Sequence, residues 1–219
     1  MTWRVPTAPP PLEWERSGIE RVQPREVAFD WVSDRSRYAG AALHGFLERI
    51  ARDGLINWNE ATVRAHRGAV RAMLTNLGVP SGDLAWSAER VESGLIQTLR
   101  DPRGRWILEN HADAASELSI AGLIEGRLSE AVIDRTFVDE HGVRWIIDYK
   151  TSAHEGASLE NFLEQEKERY REQLERYARL IVRRDDRPIR LGLYFPLMGE
   201  WLEWSAPVVL RKQALLFEL

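Results

Sequence analysis

The spacing of apolar residues first changes character near residue 112. Before that point it is helical. Leu43, Phe46, Leu47 and Ile50 share one face, and Val63, Val70, Met73, Leu74 and Leu77 form a second, stopped by Gly78 and Pro80. Leu84, Ala88, Val91, Leu95 and Leu99 make a third, ended at Asp101-Pro102, and Trp106-Ile107-Leu108 suggests a short fourth helix. Beyond it, 116–123, 128–138 and 143–151 read as strands. The last two are joined by the turn Asp139-Glu140-His141-Gly142. A long helix is expected over about 157–183, where Leu159, Phe162, Leu163, Tyr170, Leu174, Tyr177, Ala178 and Ile181 recur at helical spacing. Strands at 190–195 and 200–205 close the series. Helices followed by β-β-β-α-β-β imply an α/β or α+β fold around a small central sheet.

Residues 1–24, with PTAPPP at their centre, carry no packing pattern. The expected division is a tail or linker over 1–37 and one domain over 38–219. Within that domain a helical part (38–112) precedes an α/β core (113–206). The absence of cysteine excludes disulfides, iron–sulfur clusters and thiolate zinc sites. No apolar run is long enough to span a bilayer, and a cytoplasmic protein is expected. The net charge of −4 argues against a partner recognised through a broad basic face. A site holding a divalent cation escapes that objection, because the ion offsets its own carboxylates.

Charge matters more in its placement than in its sum. Of 30 basic residues only Lys150, Lys167 and Lys212 are lysines, so a lysine beside an apolar strand stands out. The stretch AVIDRTFVDEHGVRWIIDYKTS sets Asp134 after Ala131-Val132-Ile133, and Asp148 and Lys150 after Trp145-Ile146-Ile147. Residues two apart on a strand share a face, so Asp148 and Lys150 project together, and Asp134 reaches the same edge across the hairpin. Each alone reads as an ordinary surface charge. Together among apolar neighbours, the two carboxylates repel and desolvate badly without a cation. Two carboxylates with waters suit Mg²⁺. Lys150 would then orient or help deprotonate a bound water, or stabilise charge on the phosphate.

The full set of motifs resembles the PD-(D/E)XK nuclease superfamily, and within it the nuclease domain of RecB/AddA-type helicase–nucleases. Gly40-x-x-x-His44 lies on an early helix, Ile133-Asp134-Arg135 and Asp148-Tyr149-Lys150 on strands, and Tyr170-x-x-Gln173-x-x-x-Tyr177 on a later helix, over roughly 38–206. Leu193-Tyr194-Phe195-Pro196 resembles the strand that follows in that family. The resemblance implies a restriction-endonuclease-like core: a mixed sheet flanked by helices and preceded by a helical segment. It implies His44, Asp134, Asp148 and the Tyr149 carbonyl as ligands of Mg²⁺, with Mn²⁺ as a substitute. Lys150 would be the catalytic lysine, with Gln173 and Tyr177 flanking the site. Glu117 falls where members carry an acid before the second strand.

The substrate implied is DNA, cut during double-strand-break repair and recombination. Members of the AddB type carry four cysteines, which this chain lacks. No Gly-Lys pair occurs, so there is no phosphate loop, and a helicase motor would lie in the same or an associated chain, with an AddB/RecC-like partner subunit. The rival reading is an inactive nuclease-fold module with a DNA-binding or assembly role; survival of Asp134, Asp148 and Lys150 favours the enzyme. His66, His111, His141 and His154 are expected to be structural or solvated, and Arg183, Arg184, Arg187 and Arg190 a solvated helix end.

Overall fold

The computed structural model describes residues 34–154 and 158–207. Residues 1–33 of the tail expected over 1–37, and the last residues, 208–219, lie outside the described residues. The first helix, α1 (Asp34–Asp53), takes in residues 34–37, which sequence periodicity left in the tail because they carry no apolar residue. α1 buries Ala39, Ala42, Leu43, Phe46, Leu47 and Ile50 along one stripe.

The expected second helix is two: α2 (Glu60–Ala65) and α3 (Arg67–Asn76). The break falls at His66, whose backbone leaves the helical region at φ −85° and ψ 4°. Its ring stacks on Trp58 at 4.7 Å, and its Nδ1 lies 2.8 Å from the Thr62 carbonyl. This local anchoring is invisible to apolar spacing. α4 (Leu84–Arg100) follows, then α5 (Pro102–Leu108), which Asp101 caps by accepting from the N–H groups of Arg103 and Gly104.

Five strands form one sheet in chain order: β1 (Ala112–Ile124), β2 (Arg127–Val138), β3 (Arg144–Tyr149), β4 (Ile189–Phe195) and β5 (Glu200–Ser205). All neighbours are antiparallel except β3 and β4, which are parallel. A parallel pair needs a crossover, and the 23-residue helix α6 (Leu159–Ile181) supplies it. The fold is therefore an α/β structure with a mixed sheet between helices, preceded by a helical segment.

Each sheet face has its own core. Phe137, Trp145, Ile147, Tyr149 and Tyr194 pack with α1–α5, whereas Ile133, Ile146, Leu191, Leu193 and Phe195 pack with α6. Trp201 joins the first core and Trp204 the second, as strand alternation requires. Two-sided burial explains why β3 and β4 read as nearly continuous apolar runs.

Candidate metal site

The two central strands part company where the chemistry-bearing residues lie. β2 and β3 pair from Val138–Arg144 to Arg135–Ile147 and no further. At the next step the Asp134 carboxylate takes over: its Oδ2 accepts the Tyr149 N–H at 2.7 Å. β1 is distorted at the same level. Its pairing runs from Ser116–Arg135 to Leu118–Ile133, and Glu117 between them sits at φ 49°. A non-glycine residue in the left-handed region is strained, and such strain is a common device for re-aiming a side chain. Here it brings a second carboxylate to the fork.

Arg135 fixes the level of the fork from below. Its buried guanidinium donates to the carbonyls of Ile107 and Glu109 at the end of α5 and to Ser116 Oγ. Those carbonyls lack helical partners, so a buried arginine satisfies them and is satisfied in return.

α1 delivers His44 from one side. Gly40 permits the approach: a Cβ there would stand 2.9 Å from Thr151 Oγ1, on the loop just past Lys150. One turn on, His44 Nδ1 lies 3.6 Å from Asp134 Oδ2, and the ring meets the Tyr149 ring edge-to-face at 5.5 Å. His44, Glu117 and Asp134 each offer a ligand atom within 4.8 Å of the others, the cluster of metal-ligating side chains found among the described residues.

α6 closes the other side. Asp148 and Lys150 point toward it, as their spacing on β3 predicts. Lys150 Nζ is 2.6 Å from Asp148 Oδ2 and 3.6 Å from the centre of the Tyr170 ring. Gln173 Nε2 donates to Asp148 Oδ1 and to the Tyr177 hydroxyl, each at 2.8 Å. Lys150 lies one residue past β3, but its N–H still reaches the Tyr194 carbonyl at 2.8 Å and holds the chain in register with β4.

The electrostatics follow from this crowding. Burial and then Asp148 raise the Asp134 carboxyl well above the ordinary carboxylate range, with Glu117 adding to the effect. Burial likewise raises Glu117, helped by Glu48 and Asp148. Burial lowers His44, so its imidazole is neutral near pH 7, the form that ligates metals. Desolvation alone would lower Lys150, but Asp148 and its other neighbours reverse that and hold it above the usual lysine range.

A divalent cation fits this donor set. The site has mutually repelling carboxylates, a neutral imidazole and a buried Asp148 whose Oδ2 already draws the Lys150 ammonium to 2.6 Å. The Tyr149 carbonyl also lies at the fork, where it accepts a hydrogen bond from the His44 imidazole.

All residues singled out from sequence thus meet in one place: His44, Asp134, Asp148, Tyr149, Lys150, Gln173 and Tyr177. Asp148 stands outside the trio of closest potential ligands, engaged by Gln173 and Lys150, and Glu117 stands inside it. Sequence reading missed Glu48 and gave Tyr170 no role. Glu48 follows His44 by four on α1, the spacing that puts two side chains on one helix face. The other histidines are elsewhere: His66 on Trp58, His111 stacked on Phe137 at 4.0 Å, His141 exposed in the turn, and His154 against Phe162.

A family model described as the PD-(D/E)XK nuclease superfamily matches residues 11–202 of this chain. No curated protein matches it. Among solved structures, one titled "Crystal structure of SSO0001" is similar, with 16% identity and a TM-score of 0.33, covering 82% of this chain and 84% of that one.

Proposed function

The chain belongs to the PD-(D/E)XK nuclease superfamily, and from that premise we propose that it hydrolyses phosphodiester bonds in DNA using a divalent cation at the β2–β3 fork. The observation carrying this reading is the convergence of His44, Glu117 and Asp134 within one ion's reach, beside the Asp148–Lys150 pair. Asp134, Asp148, His44 and the Tyr149 carbonyl would hold the cation, with Glu117 as a further carboxylate; Mg²⁺ suits the oxygen donors and Mn²⁺ the imidazole. When bound, the cation supplies Lewis-acid polarisation of the scissile phosphate and an acidified water at neutral pH.

The chain's own groups do the rest. Lys150 keeps its proton on Nζ, so it offers N–H donors and positive charge to a phosphate oxygen rather than a lone pair. Gln173 orients Asp148 through its side-chain amide and braces Tyr177, fixing the carboxylate between α6 and β3.

Arg176 supports a nucleic-acid substrate. Its guanidinium lies over the Tyr177 ring at 5.7 Å, and no ion pair is found for it among the described residues. It is three residues after Gln173, placing it at the rim of the site. Arg176→Ala is expected to raise KM for DNA severalfold with little change in kcat, and to reduce the slope of log affinity against log salt by about one phosphate contact. An unchanged salt slope would remove Arg176 from the DNA path.

The order of the motifs supports a finer role, resection of DNA ends during double-strand-break repair in the cytoplasm, next to a RecB/AddA-like helicase motor and an AddB/RecC-like subunit. Linear single- and double-stranded DNA should be shortened with Mg²⁺ or Mn²⁺ and left intact with chelator, while simple phosphomonoesters persist. Rapid cleavage of closed circular duplex would argue against the end-processing role and leave the nuclease reading in place. A parallel measurement isolates the metal. Mn²⁺ should raise the Tm of the wild-type protein by linkage, reaching several degrees at about a hundredfold excess over Kd. His44→Ala should lose most of that rise; an equal rise in both would exclude His44 as a ligand.

A further inference from the structure

Tyr170 takes no part in the chemistry described so far, yet its ring lies directly beneath the catalytic ammonium. Lys150 Nζ is 3.6 Å from the ring centre, well inside the distance of about 6 Å at which a cation feels the negative face of an aromatic ring. Tyr170 is buried in the α6 core beside Leu174, Tyr177 and Ala178, so the ring cannot swing away without disrupting packing. The ammonium is itself largely removed from water, with its side chain 15% exposed. A desolvated cation–π contact is stronger than an exposed one.

We propose that Tyr170 is a positioning residue for Lys150: its π face is a seat that keeps Nζ beside Asp148 and directed at the β2–β3 fork. The proposal rests on the nuclease reading above. Asp148 alone is a poor guide for this lysine. Its charge also reaches Asp134, His44 and Glu117, and any cation at the fork draws on the same carboxylate. As that happens the ion pair weakens. An uncharged ring face is not shared in this way and continues to hold the ammonium when cation and phosphate are both in place.

A core aromatic and a cation seat can be separated by ring electron density. Tyr170→Phe keeps the face and should cleave DNA nearly as fast as wild type. Tyr170→Leu should lower kcat roughly ten- to thirtyfold, with KM and Mn²⁺ affinity nearly unchanged. If Tyr170→Leu does not fold, phenylalanines of increasing fluorination at position 170 change size little while draining the face, and log kcat should fall steadily along that series.

A second measurement needs no nuclease activity. The sequence has three lysines, so lysine labelled with ¹³C gives few ε-methylene signals. That of Lys150 should be shifted upfield by the ring in wild type and in Tyr170→Phe, and return to the ordinary position in Tyr170→Leu. If wild type shows the ring shift but cuts no DNA, the nuclease reading fails while the seat stands. A kcat indifferent to fluorination, or a Lys150 signal at the ordinary position in wild type, overturns the seat.

Discussion

Asp134→Asn is expected to abolish cleavage and, in the metal-free protein, to make the fold more stable at neutral pH. The two effects share a cause. Asp134 is confined at the fork with Asp148 and Glu117, and burial with their charge raises its carboxyl above the ordinary range. A carboxyl with a higher pKa folded than unfolded favours the protonated native state. The native protein therefore loses stability as pH rises above the unfolded aspartate range, until the folded carboxyl itself ionises. Asparagine cannot ionise, and its side-chain carbonyl can still accept the Tyr149 N–H that Asp134 accepts at 2.7 Å. With chelator present, the Tm of Asp134→Asn should match wild type near pH 4 and exceed it by roughly 2–8 °C at pH 8, the response of a domain this size to one or two kcal/mol. Saturating Mn²⁺ should reverse the order, because only wild type gains the full ion-binding energy. A Tm difference independent of pH, or Mn²⁺ stabilising both proteins equally, would show that Asp134 carries no such strain. Stability given up for a functional carboxylate is a recurrent trade in enzymes.

The same residues show what the sequence made legible. Strand alternation was enough to put Asp148 and Lys150 on one face, because residues two apart on a strand project to the same side whatever its register. Helical spacing located α1 and α6, and the motif order paired them with the strands. Asp134 was expected at the shared edge, but its means of getting there was not legible. It replaces a backbone acceptor where β2 leaves β3, a tertiary event that no local pattern encodes. Glu117 was reachable only through the family resemblance, because its approach depends on one residue at positive φ within a strand. The break at His66 and the buried Arg135 beneath the fork were hidden for a related reason. Each is set by polar partners distant in sequence or by ring stacking, neither of which leaves a periodic trace.

Lys150→Arg should leave DNA binding and Mn²⁺ affinity close to wild type while lowering kcat about a hundredfold. Charge alone does not distinguish the two side chains, so the expectation comes from space and direction. The ammonium sits between the Asp148 carboxylate at 2.6 Å and the Tyr170 ring at 3.6 Å, in a seat that is mostly buried. A compact ammonium with three rotatable donors can touch both and still turn an N–H toward the fork. A planar guanidinium is broader, and its fixed fork of donors would pair edge-on with Asp148 or lie flat on Tyr170. Either pose moves the donors away from the position where a phosphate oxygen gains charge, and displacement of about an ångström is enough to cost two orders of magnitude. Binding should survive because the positive charge does. Lys150→Met, which removes the charge but keeps a similar stem, should be at least as slow and should also weaken DNA binding. Single-turnover rates at saturating Mn²⁺ and saturating DNA isolate the chemical step from both affinities. If Lys150→Arg cleaves within about threefold of wild type there, less than the 1.4 kcal/mol that marks a tenfold change, then Lys150 contributes only its charge to the site.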